Sequence, residues 1–174
     1  IQPPAIIIVG KVCACRQLEW YDKRPLAGMK IMVTRPKERS SRLAEMLREE
    51  GAEVLEAPAI RIVPEIESER FARALSQIQK YQWLVFTSPT GVEIFWKALK
   101  HYRMDVRSLS HLQIAVIGSG TARALEERGM YADLIPEIYD GEHLGKALGE
   151  VLADENVLIP RAKIGNPELI REIE

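Results

Sequence analysis

The sequence predicts an α/β fold: two doubly wound, parallel-sheet lobes joined by a two-stranded extended linker, the first lobe discontinuous and incomplete. Three observations predict it. From Met29 onward, short runs rich in Ile and Val alternate with amphipathic helical stretches. The connections between them are short. Finally, "LREEGAEVLEAP" (47–58) recurs as "LEERGMYADLIP" (125–136), sharing a Leu, a charged trio, a Gly and a Pro seven residues beyond that Gly. Such a repeat reads as two similar lobes, with chance likeness between two ordinary β-α-β units as the alternative.

Taken in order, "AIIIVG" (5–10) is an apolar run of strand length, and "VCAC" after it places Cys13 and Cys15 on one face if that segment is extended. "KIMVTR" (30–35) is a strand by its β-branched content. The stretch that follows carries Leu43, Met46 and Leu47 at helical spacing and closes on Gly51, a good residue for ending a helix. "AEVLEAP" (52–58) is a second strand and "AIRIVPEI" runs extended. A helical pattern covers 68–79, and "WLVFTS" (83–88) is a buried-type strand. Val92, Phe95, Trp96 and Leu99 then mark one helix face. "LQIAVIG" (112–118) and its helix follow, then "YADLIP", a helix across 143–152, and "NVLIPRA" (156–162).

Two strands are too few for a stable sheet. The extended "AIRIVP" is therefore expected to lead out to a second lobe and "NVLIPRA" to return. The predicted domains are a leading tail at 1–27, a first lobe from 28–62 and 157–174, and a second lobe from 63–156.

Composition narrows the classes. The chain has 174 residues, with 24 Lys plus Arg against 25 Asp plus Glu. That balance argues against a nucleic-acid partner, and no apolar run approaches a membrane span. Cys13 and Cys15 are the only cysteines, and His101, His111 and His143 are scattered without ligand spacing, so no metal is expected. Two unpaired thiols suit a reducing, cytoplasmic setting.

The densest local signal is "AVIGSGTARALEERG" (115–129), a strand, a glycine-rich turn and a helix. Gly118 and Gly120 fit a dinucleotide fingerprint, but its last position is Arg123, and neither Glu137 nor Asp140 clearly ends a second strand. What survives is the physics of a helix start, where the N–H groups of Ser119 to Ala122 and the Ser119 and Thr121 hydroxyls can meet an anion. Ser119 or Thr121 is also expected to N-cap the helix. "FTSPTGVEIF" offers a second such turn through Thr87, Ser88, Thr90 and Gly91. "VTRP" offers Thr34 and Arg35, and "LIPRA" offers Arg161. All follow strands, where open α/β sheets bind ligands. Together they predict donor rims suited to a small molecule with several carboxylates or phosphates. No nucleophilic triad or paired-carboxylate arrangement stands out.

In that order and spacing, "KIMVTRP", "WLVFTSPTGVEIF", "IAVIGSGTARALEERG", "GEHLGKAL" and "VLIPRAKIGNPEL" resemble the uroporphyrinogen-III synthase family. The likeness runs from about residue 28 to the end. The leading "PPAIIIVGKVCACRQLEWYDKRPLAG" resembles the C-terminal end of uroporphyrinogen-III C-methyltransferase, which implies a fused methyltransferase domain upstream. The resemblance implies two α/β lobes, no cofactor, and cyclodehydration of the linear tetrapyrrole hydroxymethylbilane with inversion of its last pyrrole ring. With that substrate, the strand-end turns above make Thr34, Arg35, Thr87, Ser88, Thr90, Gly91, Gly118, Ser119, Thr121, Ala122 and Arg161 the expected substrate-binding set. The resemblance also implies a later "VY" strand, whose tyrosine is a proposed acid, and a further Thr-Ala turn. The 174 residues contain neither, so truncation of the first lobe is expected. Tyr102 and Tyr139 do not sit at that motif, so no catalytic residue is assigned. The rival reading is a two-lobed binding module for an anionic small molecule, without chemistry of its own.

Overall fold

The computed structural model describes residues 4–14, 23–35, 37–162, 165 and 167–173, with the side chains of 37–41 outside the description. The chain divides into two compact units, Ile1–Val63 and Pro64–Glu174.

In the first unit, β1 (Lys30–Val33) pairs in parallel with β2 (Glu53–Glu56), and α1 (Lys37–Glu49) connects them. Its buried apolar residues, among those described, are Val33, Ala44 and Ala52. Met32 and Leu55 face each other in register yet are 61% and 58% exposed. The N-terminal apolar run does not pair as a strand: Ile6 to Val9 are exposed and lead into a 3-10 turn at Lys11–Ala14. Cys13 therefore lies on a tight turn instead of an extended face, and Cys15 lies outside the described residues.

The second unit is a three-layer α/β/α arrangement. Its sheet has the order β4-β3-β5, all parallel, from β3 (Trp83–Phe86), β4 (Gln113–Val116) and β5 (Val157–Leu158). As the central strand, β3 is buried at every position, as parallel strands covered on both faces must be. Strand alternation sends Leu84, Phe86, Ile114 and Val116 to one face. There they pack with Leu75 of α2 (Glu69–Ser76), Val92, Phe95 and Leu99 of α3 (Pro89–His101) and Leu125 of α4 (Ser119–Glu126). Trp83, Val85 and Ala115 point the other way, onto Leu144 and Leu148 of α5 (Gly141–Val151) and Leu169 of α6 (Glu168–Ile173). The Trp83 indole N–H donates to Glu155 at 2.9 Å, so even the bulky ring's polar atom is satisfied.

The repeat is visible in backbone geometry. Gly51 and Gly129 sit at φ +97° and +77°, just past α1 and α4. Gly51 N–H donates to Arg48 and Ala52 N–H to Leu47; Gly129 N–H donates to Glu126 and Met130 N–H to Leu125. Both helices thus end in the same Schellman closure, which needs a left-handed residue.

Two expectations are corrected. Residues 157–174 do not return to the first unit: β5 pairs with β3, and α6 packs on α5. The apolar Ile159, Leu169 and Ile173 find their buried face in the second unit's core, where β5 completes the sheet along the free edge of β3. "YADLIP" shrinks to one bridge, Leu134 beside Ala115. There the Asp133 carboxylate accepts the Ile114 N–H at 2.7 Å and replaces a ladder partner.

Candidate functional site

Each strand of the second unit's sheet ends in a turn at the same carboxyl edge. After β3, Ser88 N-caps α3, its Oγ accepting the Gly91 N–H at 3.0 Å, with Pro89 at the first helical position. Proline there gives up no hydrogen bond, because that N–H has no helical partner anyway. Thr87, Thr90 and Gly91 are half-buried in the same turn. A Cβ on Gly91 would lie 3.3 Å from the Pro160 carbonyl, so the turn after β5, carrying the exposed Arg161, runs directly beside it.

On the other side, Ile117 N–H donates to Phe86 at 3.1 Å and continues the ladder one residue past β4. Gly118 then caps α4. The cap is therefore a glycine with no side-chain bond, in place of the expected Ser119 or Thr121. The Gly118 carbonyl accepts the N–H groups of both Thr121 and Ala122 at 3.0 Å. Of the four amides expected to face an anion, those of Ser119 and Gly120 stay without a partner among the described residues. Thr121 is 2% exposed and Ala122 is buried; both side chains serve the core, so the Thr121 hydroxyl is not part of the exposed rim. Ser119 is exposed. A Cβ on Gly120 would come within 3.9 Å of Pro89, so the two helix starts adjoin.

The structure thus brings together Thr87, Ser88, Thr90, Gly91, Gly118, Ser119 and Arg161 along one sheet edge. Thr34 and Arg35 occupy the matching place in the first unit, exposed beyond β1, with the Thr34 carbonyl accepting Ala59 N–H at 3.0 Å.

Two further features lie at this edge. The Tyr139 ring lies against Gly118: a Cβ on that glycine would be 2.6 Å from the ring's Cγ. Asp140 N-caps α5 by accepting the His143 N–H at 2.8 Å, and its two carboxylate oxygens lie 2.8 and 2.9 Å from His143 Nδ1. The His143 backbone bond, then the imidazole bond, hold the Asp140 carboxyl below the usual carboxylate range. A carboxylate committed to a helix cap is not the ribose-binding acid of a dinucleotide site. A capping signature, Asp followed by Gly-Glu-His, was present in the sequence; the contact between residues 118 and 139 has no sequence periodicity to announce it. No group of three or more His, Cys, Asp or Glu is placed to hold a metal among the described residues. No helix among them is long and apolar enough to cross a membrane.

Comparison with known proteins gives the edge its context. The family model described as uroporphyrinogen-III synthase HemD matches residues 41–174. "Porphyrin biosynthesis protein HemD" of Ruminiclostridium josui is 43% identical over 172 residues, covering 98% of this chain and 34% of that protein. The uroporphyrinogen-III synthase of Synechococcus elongatus is 31% identical over 150 residues, covering 86% of this chain and 56% of the relative. The chain therefore spans about a third and about half of these relatives' lengths. A crystal structure of Thermus thermophilus uroporphyrinogen III synthase superposes with a TM-score of 0.52 at 24% identity, covering 83% of this chain and 56% of that one, and shares the fold. The matched residues include every strand-end turn of the second unit and all of its core, and the chain belongs to the uroporphyrinogen-III synthase (HemD) family.

Proposed function

We propose that this protein acts as a uroporphyrinogen-III synthase, a lyase that closes hydroxymethylbilane with loss of water and inversion of the last pyrrole ring. Membership of the family across residues 41–174 carries this reading. The donor edge supports it. The substrate bears eight carboxylates, and a rim of hydroxyls, two unpartnered amides and Arg161 offers hydrogen bonds to carboxylates without a dense positive field. Thr34 and Arg35 give the first unit strand-end donors of its own.

The chemistry asks little of a nucleophile. Departure of the hydroxyl leaves a cation stabilised by the pyrrole itself. The protein's task is to hold a flexible chain so that ring-inverting closure outpaces head-to-tail closure, which is catalysis by proximity and orientation. The reading places the protein in the cytoplasm, in tetrapyrrole synthesis, with no cofactor. It includes a methyltransferase fused upstream, supported by the "PAIIIVG" run and by the Ruminiclostridium josui relative being about three times as long as the matched region.

The test is a coupled assay from hydroxymethylbilane with the protein at its natural full length, resolving type III from type I product. Type III in excess of the spontaneous type I supports the synthase. Type I alone, with tight substrate binding, selects the binding module instead.

A further inference from the structure

We propose that Tyr139, seated on Gly118, is a substrate-contacting shelf that holds one pyrrole ring of the linear tetrapyrrole and thereby biases closure toward the inverted product. The proposal rests on the synthase reading and adds a residue to it.

Three observations carry it. First, the contact is built. A Cβ at Gly118 would lie 2.6 Å from Tyr139 Cγ and 2.9 Å from its Cβ and Cδ2, so only glycine lets the ring sit on the backbone there. Gly118 is extended, at φ 171°, a conformation open to any residue; its lack of a side chain serves the close approach. Second, the ring is fixed from behind yet open in front. Asp140 N–H donates to the Ile138 carbonyl and the Asp140 carboxylate caps α5, which pins the backbone on either side, while Tyr139 remains 58% exposed. Third, its hydroxyl has no hydrogen-bond partner among the described residues.

A rigid aromatic with one face spent on the protein and the rest in solvent is suited to another ring. Pyrroles are electron-rich rings with an N–H, able to stack or meet the phenol edge to face. The phenol O–H can donate to an acetate or propionate on that ring. The shelf lies where β4 ends, beside the unpartnered amides of Ser119 and Gly120, so ring and carboxylate would be received on adjacent groups. No proton transfer is assigned to Tyr139.

The experiment uses the full-length protein and reads kcat, KM, the type III fraction and thermal stability. Tyr139→Leu should lower kcat/KM about 10-fold and shift product toward type I, with the melting temperature nearly unchanged. Tyr139→Phe keeps the shelf and should hold the type III fraction while KM rises about 3-fold. Gly118→Ala should displace the ring and match Tyr139→Leu, and the double variant should be no worse than either single. If Gly118→Ala does not fold, the two Tyr139 variants decide. Parental kinetics and product ratio in Tyr139→Leu, with an active wild type, overturn the shelf. A wild type making no type III product overturns the synthase reading, and the shelf with it.

Discussion

Replacing Ser88 by aspartate separates the two jobs that its position combines. The Ser88 hydroxyl accepts the Gly91 N–H at 3.0 Å and opens α3. Ser88→Ala removes that acceptor and should cost about 1 kcal/mol of stability. Aspartate caps as well as serine and adds a negative charge at a helix N-terminus, so Ser88→Asp should fold with parental stability or slightly better. It also places a carboxylate in the middle of the donor edge, between the turns of Gly118 and Pro160. Against a substrate carboxylate about 5 Å away, the repulsion is about 0.8 kcal/mol at the dielectric of water and about 3 kcal/mol at that of a protein surface. These correspond to about a 4-fold and about a 200-fold rise in KM. Urea melts and steady-state kinetics on the full-length parent and its Ser88→Ala and Ser88→Asp variants would read both effects, and raised salt should shrink the second. A Ser88→Asp variant with parental stability and parental KM would refute the assignment of this edge to the substrate.

Other consequences concern the frame around it. Gly51→Ala should destabilise more than Gly129→Ala in denaturant melts. Both impose a left-handed alanine costing about 1–2 kcal/mol, but at Gly51 the new Cβ would also lie 2.8 Å from Arg24 Cβ, whereas Gly129 faces open space. Phe86→Ala should cost about 3–5 kcal/mol, since that ring is fully buried and packs edge-on against Phe95 at 5.4 Å; a smaller loss would mean the core collapses around the gap. The Asp140 cap gives a pH dependence. Its carboxyl is depressed by the His143 backbone and imidazole bonds, so it stabilises the fold above the unfolded carboxylate pKa of about 3.9, and this is lost as pH falls through the lower folded value. Asp140→Asn keeps an acceptor for the cap but should flatten the acid limb of a stability–pH profile; an unchanged limb would remove Asp140 from it.

Local elements were legible because their signals are local. Ser88-Pro89 states a helix start, and Gly51 and Gly129 state helix stops. The run 83–88 states a buried-type strand, found at Trp83–Phe86, and the helix signals too were found in place. The donor turns were legible for the same reason, as strand ends followed by hydroxyls and glycines. Partition was less so. "NVLIPRA" carries an apolar pattern that would suit either sheet, and only the available face beside β3 decides that it joins the second unit. Thr121 shows the limit within the site itself. Its hydroxyl looks like a ligand donor in sequence, yet helix phase sets it 2% exposed against the core, while Ser119 two residues earlier stays in solvent.

By itself, then, the sequence determined the α/β class, the repeat and the strand-end turns, because period, capping chemistry and left-handed glycines act over a few residues. Tertiary structure alone decided which sheet receives residues 157–158 and that Tyr139 rests on Gly118. Those depend on which surfaces meet after the chain has closed over twenty or more residues, and no local pattern records that meeting.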